Sequence, residues 1–296
     1  MKLFLLTMLF SFSTQAFDPT VTLEYKVKEI KRTNVLFVID NSGSMNDYQQ
    51  QVAGLSEVFL NELKDIHYKI TAISTDPAET VENLVIYKKM KNPVANLQKL
   101  LTSFGTNGSA TEIVFERAIA FTNREFGKTF LKGETPLEII AVTDEAEQSL
   151  SDVDFFISSF KKNKMIFNGI IAKKESCKYA AETERFEQAA QKTGGDLISI
   201  CQGTSQMSVD YENLARKIAT RAAIVKKVPV RIIVIKEKID IDSIKVFYGT
   251  QEIKKGLVDR GWVFNVSKNT IEFGKKIELD SNQPAGTSFT VQYNIL

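Results

Sequence analysis

Apolar and polar positions along the chain follow two rhythms, and the change between them falls at Lys227. Val21, Leu23, Tyr25 and Val27 alternate with polar residues, the period of two that marks a half-buried strand. Val35 to Ile39 is instead a continuous apolar run ending at Asp40, which suits a parallel strand covered on both faces. Strands and helices then take turns. Tyr48 to Leu63 carries Val52, Leu55, Val58, Phe59 and Leu63 at helical spacing. Tyr68 to Ser74 and Leu84 to Tyr87 read as strands, and Pro93 to Phe104 and Glu112 to Phe126 as helices. Strands are expected at Leu137 to Val142, Met165 to Ile171 and Asp196 to Ile200, with helices at Val153 to Phe160, Glu182 to Lys192 and Val209 to Val225.

This alternation predicts an α/β fold: a doubly wound, mostly parallel open sheet with helices on both faces. Ligands of such sheets bind beyond the carboxyl ends of the strands, so residues placed just after strands are the first candidates for function. Beyond Lys227 short strands (Val228 to Ile235, Ser243 to Phe247, Trp262 to Asn265, Thr270 to Phe273, Ser288 to Asn294) lie between Gly, Asn, Asp and Pro. Residues 228–296 therefore read as a small all-β, sandwich-like domain with Trp262 in its core. Residues 34–225 form the α/β domain, and 17–33 a leading strand. That strand either pairs with the C-terminal β domain, making the α/β domain an insertion, or merely precedes it. Its alternation, with one wet face, suits an antiparallel partner.

Residues 1–16 predict a secretory signal: Lys2 gives the positive start, Leu3 to Phe12 a short apolar run, and Thr14-Gln15-Ala16 the small residues at a cleavage site. The run is too short to span a bilayer, and no later segment is apolar enough to do so. The expected location is outside the cytoplasm: periplasm, cell surface or medium. Two cysteines fit that setting, because Cys177 and Cys201 follow neighbouring strands and an oxidising compartment lets them pair. With 38 Lys+Arg against 36 Asp+Glu, nothing suggests a nucleic-acid partner.

Asp40-Asn41-Ser42-Gly43-Ser44 stands between the first buried strand and a long helix. One tight turn thus offers a carboxylate and two hydroxyls, and hard oxygen donors suit Mg²⁺, Mn²⁺ or Ca²⁺. The same residue types also cap helices. Asp144 follows another buried strand at the same sheet edge, and the loop Gly105 to Thr111 lies between the two. Within it Ser109-x-x-Glu112 also fits a capping box.

The stretch V-L-F-V-I-D-N-S-G-S-M, the Gly/Ser/Thr loop and I-I-A-V-T-D-E resemble the three parts of the metal-ion-dependent adhesion site of von Willebrand factor type A domains, over Asn34 to Val225. The resemblance implies one divalent cation, Mg²⁺ first, held by Asp40, Ser42, Ser44, a middle-loop hydroxyl and Asp144. Ser109 is the first choice for that hydroxyl, Thr111 the second, and Thr106 a third. Where the family commonly has Gly after the later Asp, this chain has Glu145, with Glu147 two further on. These carboxylates either compete with an acidic ligand or help hold the ion.

The resulting expectation is an exported, non-enzymatic adhesion or protein-binding protein, whose cation captures an Asp or Glu of a partner protein. The alternative is an assembly or sensor subunit that positions an enzyme partner. No residue set marks a general base, and no G-x-x-x-x-G-K phosphate loop is present.

Overall fold

The computed structural model describes residues 20–76, 78, 84–132, 135–174, 176–178, 182–228, 231–256, 259–280, 282–284 and 286–296. The expected signal segment, residues 1–16, lies outside the described residues. The chain divides into two units, Ile30–Lys226 and a second made of Met1–Glu29 with Lys227–Leu296.

The described residues begin with β1 (Thr20–Lys26) and β2 (Lys28–Ile39). Helices α1 (Asn46–Gly54) and α2 (Ser56–Glu62) lead to β3 (His67–Ser74). Then come β4 (Ile86–Tyr87), α3 (Pro93–Leu101), α4 (Val114–Asn123), α5 (Glu125–Phe130) and β5 (Leu137–Thr143). The remainder of this unit is α6 (Val153–Lys162), β6 (Met165–Ile171), α7 (Glu184–Thr193), β7 (Leu197–Ser199), α8 (Thr204–Arg221) and β8 (Ala223–Val228).

Seven strands form one sheet in the order β4-β3-β2-β5-β6-β7, with β8 also paired to β2. The β3-β2-β5-β6-β7 pairings are parallel, and β4 is antiparallel to β3. Each central strand sends alternate side chains to opposite faces. Val35, Phe37, Ile39, Ile140 and Val142 join Phe59, Leu97, Tyr211 and Leu214 on one side. Leu36, Val38, Ile139 and Ala141 meet Phe115, Phe156, Phe160 and Phe186 on the other. Helices cover both faces, as the continuous apolar runs require.

All six expected helices shift at one end or both, and three of them change most. Tyr48 to Leu63 is broken at Leu55 (φ −90°, ψ 8°), directly after Gly54, whose missing Cβ makes it a poor helix residue. The segment from Glu112 becomes helical only at Val114, and extended Arg124 separates α4 from α5. The helix expected at Val209 to Val225 starts at Thr204 and ends at Arg221. Ile224 and Val225 instead enter β8, where β-branched side chains are at ease.

In the second unit the strands are β1, β9 (Ile232–Val234), β10 (Lys245–Tyr248), β11 (Gln251–Glu252), β12 (Trp262–Asn265), β13 (Thr270–Phe273) and β14 (Ser288–Asn294). They form two sheets, β1-β14-β10-β11 and β12-β13-β9, antiparallel throughout, over one core. Trp262 lies in that core, its indole N–H donating to the Ile253 carbonyl at 2.7 Å. Of the two roles left open for the leading strand, the structure has the pairing: β1 runs antiparallel to β14 from Thr20↔Asn294 to Lys26↔Ser288. That register sets Val21, Leu23 and Tyr25 opposite Tyr293, Val291 and Phe289, all three of them buried, so apolar side chains share a face.

Candidate metal centre

Parallel β2 and β5 end side by side, which brings Asp40 and Asp144 to one edge of the sheet. The backbone fastens this edge. Asp40 N–H donates to the Val142 carbonyl at 2.9 Å, and Thr75 N–H to Ile39 at 3.0 Å. The middle loop is tied in by Gly108 N–H on the Asn41 carbonyl at 2.8 Å. A Cβ at Gly108 would meet the side-chain amide of Asn41 at 2.3 Å, so a larger residue there has to displace the buried Asn41 side chain. From α1, buried Gln49 donates its amide to the carbonyls of Asp40 (2.8 Å) and Gly105 (2.9 Å), clamping the first loop to the second.

Four of the six expected ligands converge. Asp40, fully buried, accepts the Ser42 N–H on Oδ1 at 2.7 Å and the Thr143 hydroxyl on Oδ2 at 2.6 Å. The hydroxyls of Ser42 and Ser44 lie 3.1 Å apart, and Ser44 donates to Asp144 Oδ1 at 3.0 Å. Asp40 and Ser42 form a buried floor, while Ser44 and Asp144 open to the surface. The other two ligands are engaged elsewhere. Ser109 Oγ accepts the Thr111 N–H at 3.0 Å, Ser109 N–H donates to Asp76 Oδ2 at 3.2 Å, and Thr111 is exposed. The capping box does not form, because α4 starts beyond it at Val114 with no side-chain cap from Ile113. Its first N–H groups are met from the loop after β5: Glu147 accepts from Phe115, and Ser149 from Glu116, each at 3.2 Å.

That contact gives Glu147 a structural role. Its buried carboxylate also takes the Ser149 N–H at 3.2 Å, the Ser149 hydroxyl, and an ion pair to Arg185 at 3.1 Å. Burial raises its pKa, against the pull of Ser149, Phe115 and Arg185. Glu145 is exposed and stays near the site, raised by desolvation and by the charges of Asp144 and Asp40.

The sequence reading misses Glu112 as a site residue. It is fully buried, and neither carboxylate oxygen has a hydrogen bond of ordinary geometry, although the Thr75 hydroxyl and Asp40 lie beside it. Burial, then the Asp40 charge, push its pKa up to about 8. Asp144 is raised too, first by burial and then by Asp40, against the Ser44 hydrogen bond. Glu112 stands three residues before Phe115, which is buried; this helical spacing on an inward face was the available signal.

Among the described residues no three His, Cys, Asp or Glu side chains form a ready-made metal cluster, so hydroxyls have to complete any shell. The donor set fits a hard divalent cation. Carboxylates raise one another's pKa here, and a cation relieves that repulsion. Beyond the carboxyl ends of β6 and β7, Cys177 and Cys201 form a disulfide with Cα atoms 5.2 Å apart. No helix among the described residues is long and apolar enough to cross a membrane.

No protein-family model matches the chain, and neither does any curated protein. Solved structures resemble it at a distance. Proximal thread matrix protein 1 from the mussel byssus, with a zinc-occupied MIDAS motif, aligns at 12% identity and TM-score 0.46, over 68% of this chain and 48% of that one. The pilus adhesin SpaC from Lactobacillus rhamnosus GG aligns at 11% identity and TM-score 0.42, over 93% and 41%. An aerotolerance-related membrane protein from Bacteroides fragilis gives 12% identity and TM-score 0.39, over 62% and 99%. The chain spans about half the length of the mussel protein and less of the pilus adhesin.

Proposed function

We propose that this is an exported protein-binding module that works through a divalent cation at the carboxyl edge of its α/β sheet. Asp40, Ser42, Ser44 and Asp144 would hold the ion. When bound, the ion supplies concentrated positive charge with a preference for oxygen ligands. The observation that carries this reading is the hydrogen-bonded run Ser42–Ser44–Asp144 above the buried Asp40 carboxylate. Oxygen donors from loops 100 residues apart meet at the edge where open sheets bind ligands.

The chemistry of these residues points to binding. Asp40 and Asp144 together match the charge of a divalent ion, and the serines add neutral oxygens, so the shell remains open to an oxygen ligand from outside. An Asp or Glu on a partner protein is the ligand we infer, because its carboxylate joins charge to the oxygen the ion prefers. Buried Asp40 orients Ser42 through its N–H, and Ser44 holds Asp144 toward the opening. The Cys177–Cys201 disulfide supports export to an oxidising compartment.

Titration calorimetry of the full chain with Mg²⁺ and Mn²⁺ tests the site. Wild-type protein should bind one ion, and Asp40→Ala should show no binding while keeping its folded circular-dichroism signal. Unchanged affinity in the variant would remove Asp40 from the site and this reading with it.

A further inference from the structure

We propose that Glu112 is a direct ligand of the cation, supplying the middle-loop oxygen expected from a hydroxyl. The inference rests on the reading that Asp40, Ser42, Ser44 and Asp144 hold a divalent ion.

Glu112 has an unmet requirement. A carboxylate sealed from water needs a counter-charge or a full set of donors. Glu112 is 0% exposed, and both of its oxygens are without a hydrogen bond of ordinary geometry. Its neighbours supply no counter-charge: the charges felt there are those of Asp40 and Glu145, both acidic, and the Thr75 hydroxyl beside it is a neutral donor. The other fully buried glutamates of this domain are provided for: Glu138 pairs with Arg221 at 2.8 Å and Glu147 with Arg185 at 3.1 Å. Among the described residues no such ion pair reaches Glu112.

Position supplies the second strand of evidence. Glu112 ends the middle loop, directly after Thr111, and its carbonyl accepts the Gln148 N–H of the loop after β5 at 2.9 Å. The residue is thereby wedged between two of the three loops that build the site, with its carboxylate beside Asp40 of the third. Of the three candidate hydroxyls, the two preferred ones are occupied or turned outward: Ser109 Oγ holds the Thr111 N–H, and Thr111 is exposed, while Thr106 is half-buried with its carbonyl beside Gly43. Because the acidic side chains do not form a ready-made cluster, ligation requires a side-chain rotation of Glu112 or Asp144 when the ion arrives.

A third carboxylate changes what the site does. Asp40 and Asp144 alone balance a divalent charge, and Glu112 takes the shell one negative charge beyond it. The ion is then retained more firmly, and less of its charge is left for a partner's carboxylate. Glu112 therefore sets the balance between keeping the ion and capturing an acid.

The test is titration calorimetry with Mg²⁺ and Mn²⁺ on the full chain as wild type, E112Q and D40N, alongside thermal unfolding in EDTA. Glu112→Gln keeps the shape and removes the charge. It should weaken ion binding by roughly 10- to 100-fold, yet melt at or above the wild-type temperature in EDTA. Affinity within about twofold of wild type in E112Q, with binding lost in D40N, would overturn this inference and leave the site standing. Absence of binding in wild type would overturn both. A lower melting temperature in EDTA with unchanged affinity would assign Glu112 to the fold alone. Should E112Q fail to fold, E112D keeps the charge on a shorter arm and is expected to bind with intermediate affinity; wild-type affinity there would count against ligation.

Discussion

The two ends of β5 treat acidic side chains in opposite ways. At the amino end, buried Glu138 receives the Arg221 guanidinium on both oxygens, at 3.0 and 2.8 Å, and the Asn168 amide at 3.0 Å. Past the carboxyl end, Asp40, Asp144 and Glu112 gather with hydroxyls and backbone N–H groups, and among the described residues none has an ion pair to Lys or Arg. A buried acid with its own arginine is a finished piece of structure. Acids that share a pocket without one repel each other, and it is this repulsion that the cation proposed above would relieve.

The sharpest way to break this contrast is to remove the arginine. Arg221→Ala leaves Glu138 buried and unpaired, and should lower stability by about 3–5 kcal/mol in urea unfolding without changing Mg²⁺ affinity. A loss below about 1 kcal/mol would mean that the pair is ornament.

A second effect follows from Glu112, whose pKa is raised from 4.5 to about 8 in the folded chain. The folded state holds that proton more tightly than the unfolded state does. Its contribution to stability is therefore fully present below pH 4.5 and lost as pH rises toward 8. In EDTA, unfolding free energy should fall across this window by at most roughly 1.4 kcal/mol per pH unit. Glu112→Gln should flatten the slope, and an equally steep slope in that variant would assign it to other groups.

Asp40→Asn is expected to change stability by less than about 1 kcal/mol, since an amide oxygen can still accept from Ser42 or Thr143. Ion binding should nevertheless vanish in calorimetry. The smallest effect belongs to Ser109→Ala, which removes an acceptor for one loop N–H. Ion affinity should barely move, and a loss beyond tenfold would return the middle-loop ligand to Ser109.

Much of this was legible in the chain because local and global signals agree. The run Val35 to Ile39 suits a strand covered on both sides, which puts Asp40 at its end by the sheet edge, and all five residues of the run are buried. Glu112 was hidden by a local pattern that matches a capping box, because a sequence pattern cannot reveal that the helix starts beyond it and is capped by Glu147. The Arg221–Glu138 pair spans 83 positions, and nothing in the spacing of either residue announces it. Helix bounds failed where Gly54 and Arg124 interrupt otherwise continuous apolar periodicity.

The pairing of β1 with β14 has a consequence in time. A strand at Thr20–Lys26 cannot complete its ladder until Ser288–Asn294 exists, so every residue between the two must be made before that sheet can close. The α/β domain, whose strands all lie between, has its full complement of residues earlier and can fold while the first strand waits. An early, unpaired β strand is also an exposed template for wrong partners. The alternating Thr20, Thr22, Glu24 and Lys26 on its outer face keep that waiting strand hydrated until its distant partner arrives.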